Sequence, residues 1–349
     1  MPQRYGPALL AVLLLFGVAG TAMAQDPVLS QFYAAPTLLN PAFAGMTRAP
    51  SFHVNHRSQN VGFAGSVPYQ TSAVGYGQFV AGLNSGFGLS LMHDAAGDGV
   101  VETYAATAYY AYQVRVSRDH LFRIGLSAGV QERRLDWDRL IFFDQLNPVF
   151  GARDANGLIR PSQEARPDQL NVLFPDFGAG VLYAGPRAYG GVTVDHLTTP
   201  DDRIVNRGPG GFYRGYPLRI SVHAGAQIPL DGDAANPKRF VTPNVLYTHQ
   251  GPFDQVNLGA YVGVGPMFGG AWFRHGFGNG DAVIGTVGVE WDMYQFGYSY
   301  DLTVSALAPL NTGNAGTHEV SLQVNLEEAP WIKSRRARDR YNDCLRLFR

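Results

Sequence analysis

The sequence predicts an all-β protein, a transmembrane antiparallel β-barrel of about 14 strands, with a periplasmic N-terminal segment and a short helical tail. Three observations carry this expectation. After the first 24 residues, no run approaches the roughly 18 consecutive apolar residues that a spanning helix requires. The composition is rich in glycine (42) and aromatics (18 Tyr, 21 Phe) and poor in charge (16% Asp, Glu, Lys and Arg). That profile suits a membrane barrel, and a secreted sandwich or propeller shares it. The third observation is strict alternation.

In a barrel, lipid-facing and lumen-facing side chains alternate with period two. Over 121–131, Phe122, Ile124, Leu126, Ala128 and Val130 oppose Arg123, Gly125, Ser127, Gly129 and Gln131. Segment 218–228 sets Leu218, Ile220 and Val222 against Arg219, Ser221 and His223, and 255–264 sets Leu258 and Val262 against Asn257 and Tyr261. Near the end, Val320, Leu322 and Val324 oppose Glu319, Ser321 and Gln323.

The elements follow in order. Arg4, the apolar run Ala8 to Gly20 and Ala22-Met23-Ala24 read as a secretory signal, with cleavage between Ala24 and Gln25. The run is too short to anchor the chain, and no cysteine stands at the cleavage point. Residues 25–47 carry Pro27, Pro36 and Pro41, so they are not a strand; they are expected in the barrel mouth or as a periplasmic surface. Strands are expected at 48–57, 69–79, 86–93, 101–116, 121–134, 176–184, 188–195, 218–228, 239–249, 255–264, 268–276, 282–292, 294–303 and 317–326. Their number is even, as a single-chain barrel requires.

The gaps sort by parity. Gaps 58–68, 94–100, 135–175, 196–217, 250–254, 277–281 and 304–316 would face outward, and the alternate gaps are mostly tight, such as 185–187 and Met293. A sandwich has no reason to sort its loops this way. In the tail 327–349, Tyr341, Cys344, Leu345 and Phe348 fall at helical spacing among arginines, as a basic amphipathic helix or a solvated terminus would have them.

Little else in the chain points to chemistry. A net charge of −1 offers nothing to nucleic acid, and the single Cys344 excludes an internal disulfide framework. Nine histidines are scattered without a metal-binding spacing. Asp231 to Asn236 is a poor calcium loop, and the glycine clusters at 263–270 and 276–280 lack the strand–helix setting of a phosphate cradle. Asp301, His318 and Glu319 do not converge, because His318 shares the outward parity of Val320 while Glu319 points inward. No catalytic residue, metal or cofactor is expected.

One stretch is more specific. Gln25 to Gly45, QDPVLSQFYAAPTLLNPAFAG, resembles the N-terminal signature of the PorP/SprF outer-membrane proteins of the type IX secretion and gliding machinery. Gln31, Phe32, Tyr33, Pro36, Leu39, Asn40, Pro41, Ala42, Phe43 and Gly45 carry the match. Similar segments follow in family order. Arg134 to Gln145 resembles the "R-x-L-D-W … F-x-D-Q" segment through Asp136, Trp137, Asp144 and Gln145. Pro175 to Gly180 reads PDFGAG, and Gly270 to Arg274 reads GAWFR with Trp272 and Arg274. Tyr298, Tyr300 and Asp301 lie in GYSYD, and His318 and Glu319 open HEVSL. The loop 135–175 and the arginine-rich tail depart from the pattern.

The resemblance implies a non-enzymatic barrel in outer-membrane lipid. Its partners would be periplasmic ring or peptidoglycan-associated proteins of the secretion machinery, or a secreted surface protein. In that picture 31–45 is a periplasmic contact, and removing 27–45 leaves a folded barrel without its partners. The alternative is a transport barrel for hydrophobic compounds or small solutes. Inward residues such as Tyr109, Gln113, Arg115, Arg123, Gln131, Arg219, Gln227 and Tyr261 would then line a path rather than fill the lumen. By length, 135–175 is the best candidate for a binding loop.

Overall fold

The computed structural model describes residues 26–59, 69–117, 119–148, 151–154, 156–201, 215–231, 237–277, 279–304 and 316–326. The signal segment with its cleavage site at Ala24 and Gln25, and the tail 327–349, lie outside the described residues. So do most of the gaps 58–68, 196–217 and 304–316.

The strands are β1 (Ser51–Gln59), β2 (Tyr69–Val80), β3 (Ser85–Ala96), β4 (Val101–Arg115), β5 (Leu121–Leu135), β6 (Asn171–Ala184) and β7 (Ala188–Asp195). They continue as β8 (Arg219–Ala226, resumed at Ile228–Pro229), β9 (Arg239–Gln250), β10 (Phe253–Val264), β11 (Met267–Gly276), β12 (Asn279–Trp291), β13 (Tyr294–Thr303) and β14 (Thr317–Asn325). Each pairs antiparallel with its neighbours in sequence, and β14 closes on β1 from Ser51↔Asn325 to Ser58↔His318. An even number makes this closure possible, since an odd meander would bring its first and last strands together in parallel.

The alternation sorts as expected. Ile124, Leu126, Leu258, Val262 and Val320 are exposed, whereas Arg123, Tyr109, Gln131, Gln227 and Tyr261 are buried inside. Two outward aromatic belts bracket the apolar band, as at the two interfaces of a membrane. At the end with tight turns, Phe52 meets Tyr76, Phe87 meets Tyr110 and Phe122 meets Tyr183, with ring centroids 5.4, 5.5 and 5.2 Å apart. At the end with long loops, His93 stacks on Tyr104 at 4.6 Å, and Tyr300 packs against His318 at 5.1 Å.

Most strand bounds fall within three residues of expectation, as β1, β3 and β12 show, and proline explains the two larger departures, in β6 and β8. β6 begins at Asn171 rather than 176, because its ladder with β5 runs on to Arg134↔Asn171. There β6 has no pairing on its β7 side, which starts only at Ala179↔Val194, so Pro175 gives up no bond on that side. In β8 the ladder to β9 breaks between Gly225↔Asn244 and Val241↔Ile228, opposite Pro243, and resumes in the same register. A proline has no N–H to offer at that point.

Residues 26–47 hold the larger correction. The sequence leaves them in the barrel mouth or as a periplasmic surface; the structure places them deeper, within the lumen. They form short turns, Phe32–Ala34, Pro36–Leu39 and Pro41–Phe43, the last two opening on a proline at the first helical position. Phe32, Tyr33, Leu39 and Phe43 pack into one buried cluster with wall residues including Leu182, Leu246, Tyr261, Phe268, Trp272 and Ile284. The protein is therefore apolar outside, and its core is a plug.

Candidate functional site

The plug enters near the long-loop end and leaves at the short-turn end, held at three levels. Asp26 marks the first. Its N–H donates to Gln250 Oε1 at 3.0 Å, and its carboxylate accepts from Tyr216 at 2.5 Å and Arg219 at 3.2 Å. His196 bridges Asp26 (Nε2, 2.8 Å) and Asp176 (Nδ1, 2.9 Å). Burial opposes charge on His196, but the Asp26 and Asp176 carboxylates outweigh it and push its pKa up to about 10. Burial likewise opposes charge on Asp26, and His196 and Arg219 hold its carboxyl well below the usual range.

A raised histidine pKa gives stability that is complete below the ordinary value near 6.5 and is lost as pH rises through about 10. Protection of the Asp26 amide from hydrogen exchange, corrected for intrinsic rate, is therefore expected to hold at pH 7 and fall beyond about pH 10. A His196→Gln chain should lack that step. Equal protection across the whole range in both chains would remove the assignment.

The second level is a buried ion cluster. Glu319, fully buried, accepts the Ser30 N–H at 2.7 Å and the Gln31 N–H at 3.0 Å. The Ser30 hydroxyl donates to Asp301 at 2.6 Å and accepts from Arg57. Arg57 reaches Asp301 at 3.1 Å and Glu319 at 3.3 Å; Arg274 donates to Asp301 at 2.8 Å and to Asp281 at 2.5 Å. Two arginines thus face two buried carboxylates, Asp301 and Glu319, with the more exposed Asp281 beside Arg274 and the plug backbone threaded between them. Below, Gln31 donates to the Glu319 carbonyl at 2.9 Å and accepts from Ser321 at 2.7 Å. Phe32 meets Trp272 edge-on at 5.0 Å, and Tyr33 meets Tyr261 at 4.8 Å.

The third level is Asn40 to Gly45. Asn40 Oδ1 caps the next turn by accepting from Ala42 N–H at 2.9 Å. Its Nδ2 donates to the carbonyls of Val181 (3.1 Å) and Val192 (3.3 Å), a cross-strand pair of β6 and β7. The wall beneath is glycine where the plug presses closest: a Cβ on Gly125 would stand 2.1 Å from Ala42 N, and one on Gly180 2.2 Å from Asn40 Oδ1. Gly45 has φ +57° and would place a Cβ 2.3 Å from Gln78 O, so only glycine fits there. Buried Arg123 closes the level by donating to Ala44 O and Gly45 O. Gly125→Val is expected to lower the unfolding temperature by several degrees, whereas Gly285→Val, whose added carbon meets nothing within 4 Å, should not. Equal unfolding temperatures would contradict this packing.

The structure divides the sequence-predicted residues into three sets. Gln31 to Gly45 meet Trp272 and Glu319 in the lumen, and Ser30 just before them meets Arg274 and Asp301. Tyr298, Tyr300 and His318 lie on the outer face, with Tyr298 OH 2.8 Å from His318 Nδ1. Asp136, Trp137, Asp144 and Gln145 build the loop after β5. His318 and Glu319 therefore stand on opposite sides of the wall. Arg57, Asp26 and His196 are not among the sequence-predicted site residues; Arg57 carries a signal in the inward parity it shares with His53 and Asn55, and Asp26 in its place in the QDP opening of the signature, whereas His196 has none.

A closed barrel with an apolar exterior, two aromatic belts and a polar lumen filled by its own N-terminal segment defines an outer-membrane β-barrel protein. The sequence matches the family described as type IX secretion system membrane protein PorP/SprF over residues 21–324, and the chain belongs to that family. No curated protein matches it. Among solved structures, a mutant Rh. blastica porin is similar at 9% identity, covering 79% of this chain and 99% of that one, with TM-score 0.33. BamA from Haemophilus ducreyi lacking POTRA domains 1-3 shares 10% identity over 79% of this chain and 70% of that one, TM-score 0.38. CdiB from Acinetobacter baumannii shares 8% over 80% and 60%, TM-score 0.39.

Proposed function

We propose that this protein is a non-catalytic docking barrel of the type IX secretion apparatus that holds a partner at its rim rather than conducting through its lumen. One observation carries the reading: residues 26–47 fill the lumen and are bonded to the wall at three levels. A segment so buried offers no side chains to a partner while it stays in place. Gln31 to Gly45 then serve docking indirectly, by keeping the wall and its loops rigid. With tight turns toward the periplasm and long loops outward, the partner met by the loops is a secreted surface protein, and the one met at the turns is periplasmic machinery.

A chamber beside the plug carries the second reading, a transport barrel. It lies between Val28, Leu29 and Leu38 on one side and Thr107, Gln131 and Asp195 on the other, and its volume of about 110 Å³ has room for water or a very small solute only.

Crosslinking and affinity purification of the tagged chain from solubilised outer membranes, followed by mass spectrometry, tests these readings. A single large secreted protein in stoichiometric amount supports surface docking, and ring or peptidoglycan-associated proteins support the periplasmic arm. A barrel without partners that binds or passes solutes would overturn docking in favour of transport.

A further inference from the structure

The loop between β5 and β6 is braced from within. Its backbone is pinned at the base, where Leu135 N–H donates to Leu170 O at 2.8 Å. Trp137 packs on Phe142 with ring centroids 4.6 Å apart. Gln145 is buried and works in both directions: its Oε1 accepts from Phe142 N–H at 2.7 Å, and its Nε2 donates to Arg160 O at 2.5 Å. Asp144 accepts from the Ser162 hydroxyl at 2.9 Å and the Gln163 N–H at 2.6 Å. Those bonds hold its carboxyl below the usual range, the Gln163 amide contributing most.

The turn Phe143–Gln145 is thereby fixed to the far arm of the loop, and Phe142, Asp144 and Gln145 are all spent on holding it. Phe143 is the exception. It is 90% exposed, with Ile141, Leu146, Leu158 and Ile159 also exposed on the same loop. A phenylalanine in water is a cost unless something covers it, and a rigid turn lowers the entropy lost when a partner does so.

We infer that Phe143 is a preorganised apolar anchor that inserts into a pocket on the secreted protein docked at the loops. The inference rests on the docking reading above. Charge selects the occupant. Residues 136–170 hold six acidic residues against four arginines, and Arg139, Arg153 and Arg166 are already engaged with Asp98, Gly157 O and Asp138. An acidic loop is repelled by an anionic lipid surface and suits a pocket rimmed by lysine and arginine.

Three chains, wild type, Phe143→Asp and Phe143→Leu, purified from outer membranes and checked for folding by heat-modifiable migration, test the anchor. The readout is the amount of the secreted protein that is stoichiometric with wild type. Phe143→Asp is expected to retain a tenth or less, as for a central aromatic hot spot, and Phe143→Leu most of it. A photoreactive benzoylphenylalanine at position 143 in intact cells should crosslink to that same protein. If wild type and Phe143→Asp hold the protein equally, or the crosslink goes to lipopolysaccharide, the anchor is wrong while docking stands. If wild type holds no secreted protein, docking at the loops fails and the anchor with it.

Discussion

A chain lacking residues 26–47 is expected to conduct ions steadily in a planar bilayer, where the whole chain does not. Fourteen strands enclose more space than their own inward side chains fill. The wall is also thinned to glycine at Gly86, Gly125, Gly180 and Gly297, where plug atoms would lie within 2.3 Å of an added carbon. With the segment gone that space admits water, and Arg57, Arg123, Arg274, Asp301 and Glu319 line it. The barrel itself should still close, because its ladders are complete without the plug. Its stability should fall, because Leu182, Leu246, Tyr261, Phe268 and Trp272 return to water at about 1.5–3 kcal/mol for each fully wetted side chain. Conductance that is identical with and without the segment would show that it does not seal the lumen. Partner retention in the same shortened chain separates an indirect role of the signature from a contact role.

The second large effect is expected at Glu319. Glu319→Ala leaves Arg57 with Asp301 as its one carboxylate and strips the Ser30 and Gln31 amides of their acceptor, all in a buried setting. Breaking a buried charge pair from one side costs about 3–5 kcal/mol. Glu319→Gln keeps the volume and one acceptor oxygen, so it should fall between wild type and Ala. Urea unfolding in lipid vesicles gives the ranking, and exchange at the Ser30 and Gln31 amides shows whether the top of the plug has come loose. A Glu319→Ala loss below about 1 kcal/mol would mean that the cluster is hydrated and weak.

Strand number and wall polarity were legible because each is written locally. Alternation is a property of neighbouring residues, and Leu258 against Asn257 reports its faces without any tertiary information. Boundaries were less legible. The extension of β6 to Asn171 depends on how far β5 runs beside it, a fact of pairing rather than of sequence. The candidate site was half legible. Parity gave Glu319 as inward and His318 as outward, but nothing local says that Glu319 would meet Ser30, 289 positions earlier in the chain.

The sequence by itself determined a closed antiparallel barrel of the PorP/SprF family, with an N-terminal segment that proline keeps out of the ladder. Only the tertiary structure decided where that segment goes. A run rich in Phe, Tyr, Pro and Asn suits a partner's surface and a barrel's interior equally well by composition. The choice follows from complementarity that exists once the strands have closed: inward glycines at the right depth, two arginines and two carboxylates at one level, and the Val181 and Val192 carbonyls within reach of Asn40. These groups are far apart in sequence and converge through register, so the physics that places the plug is long-range and cannot be read from any window of the chain.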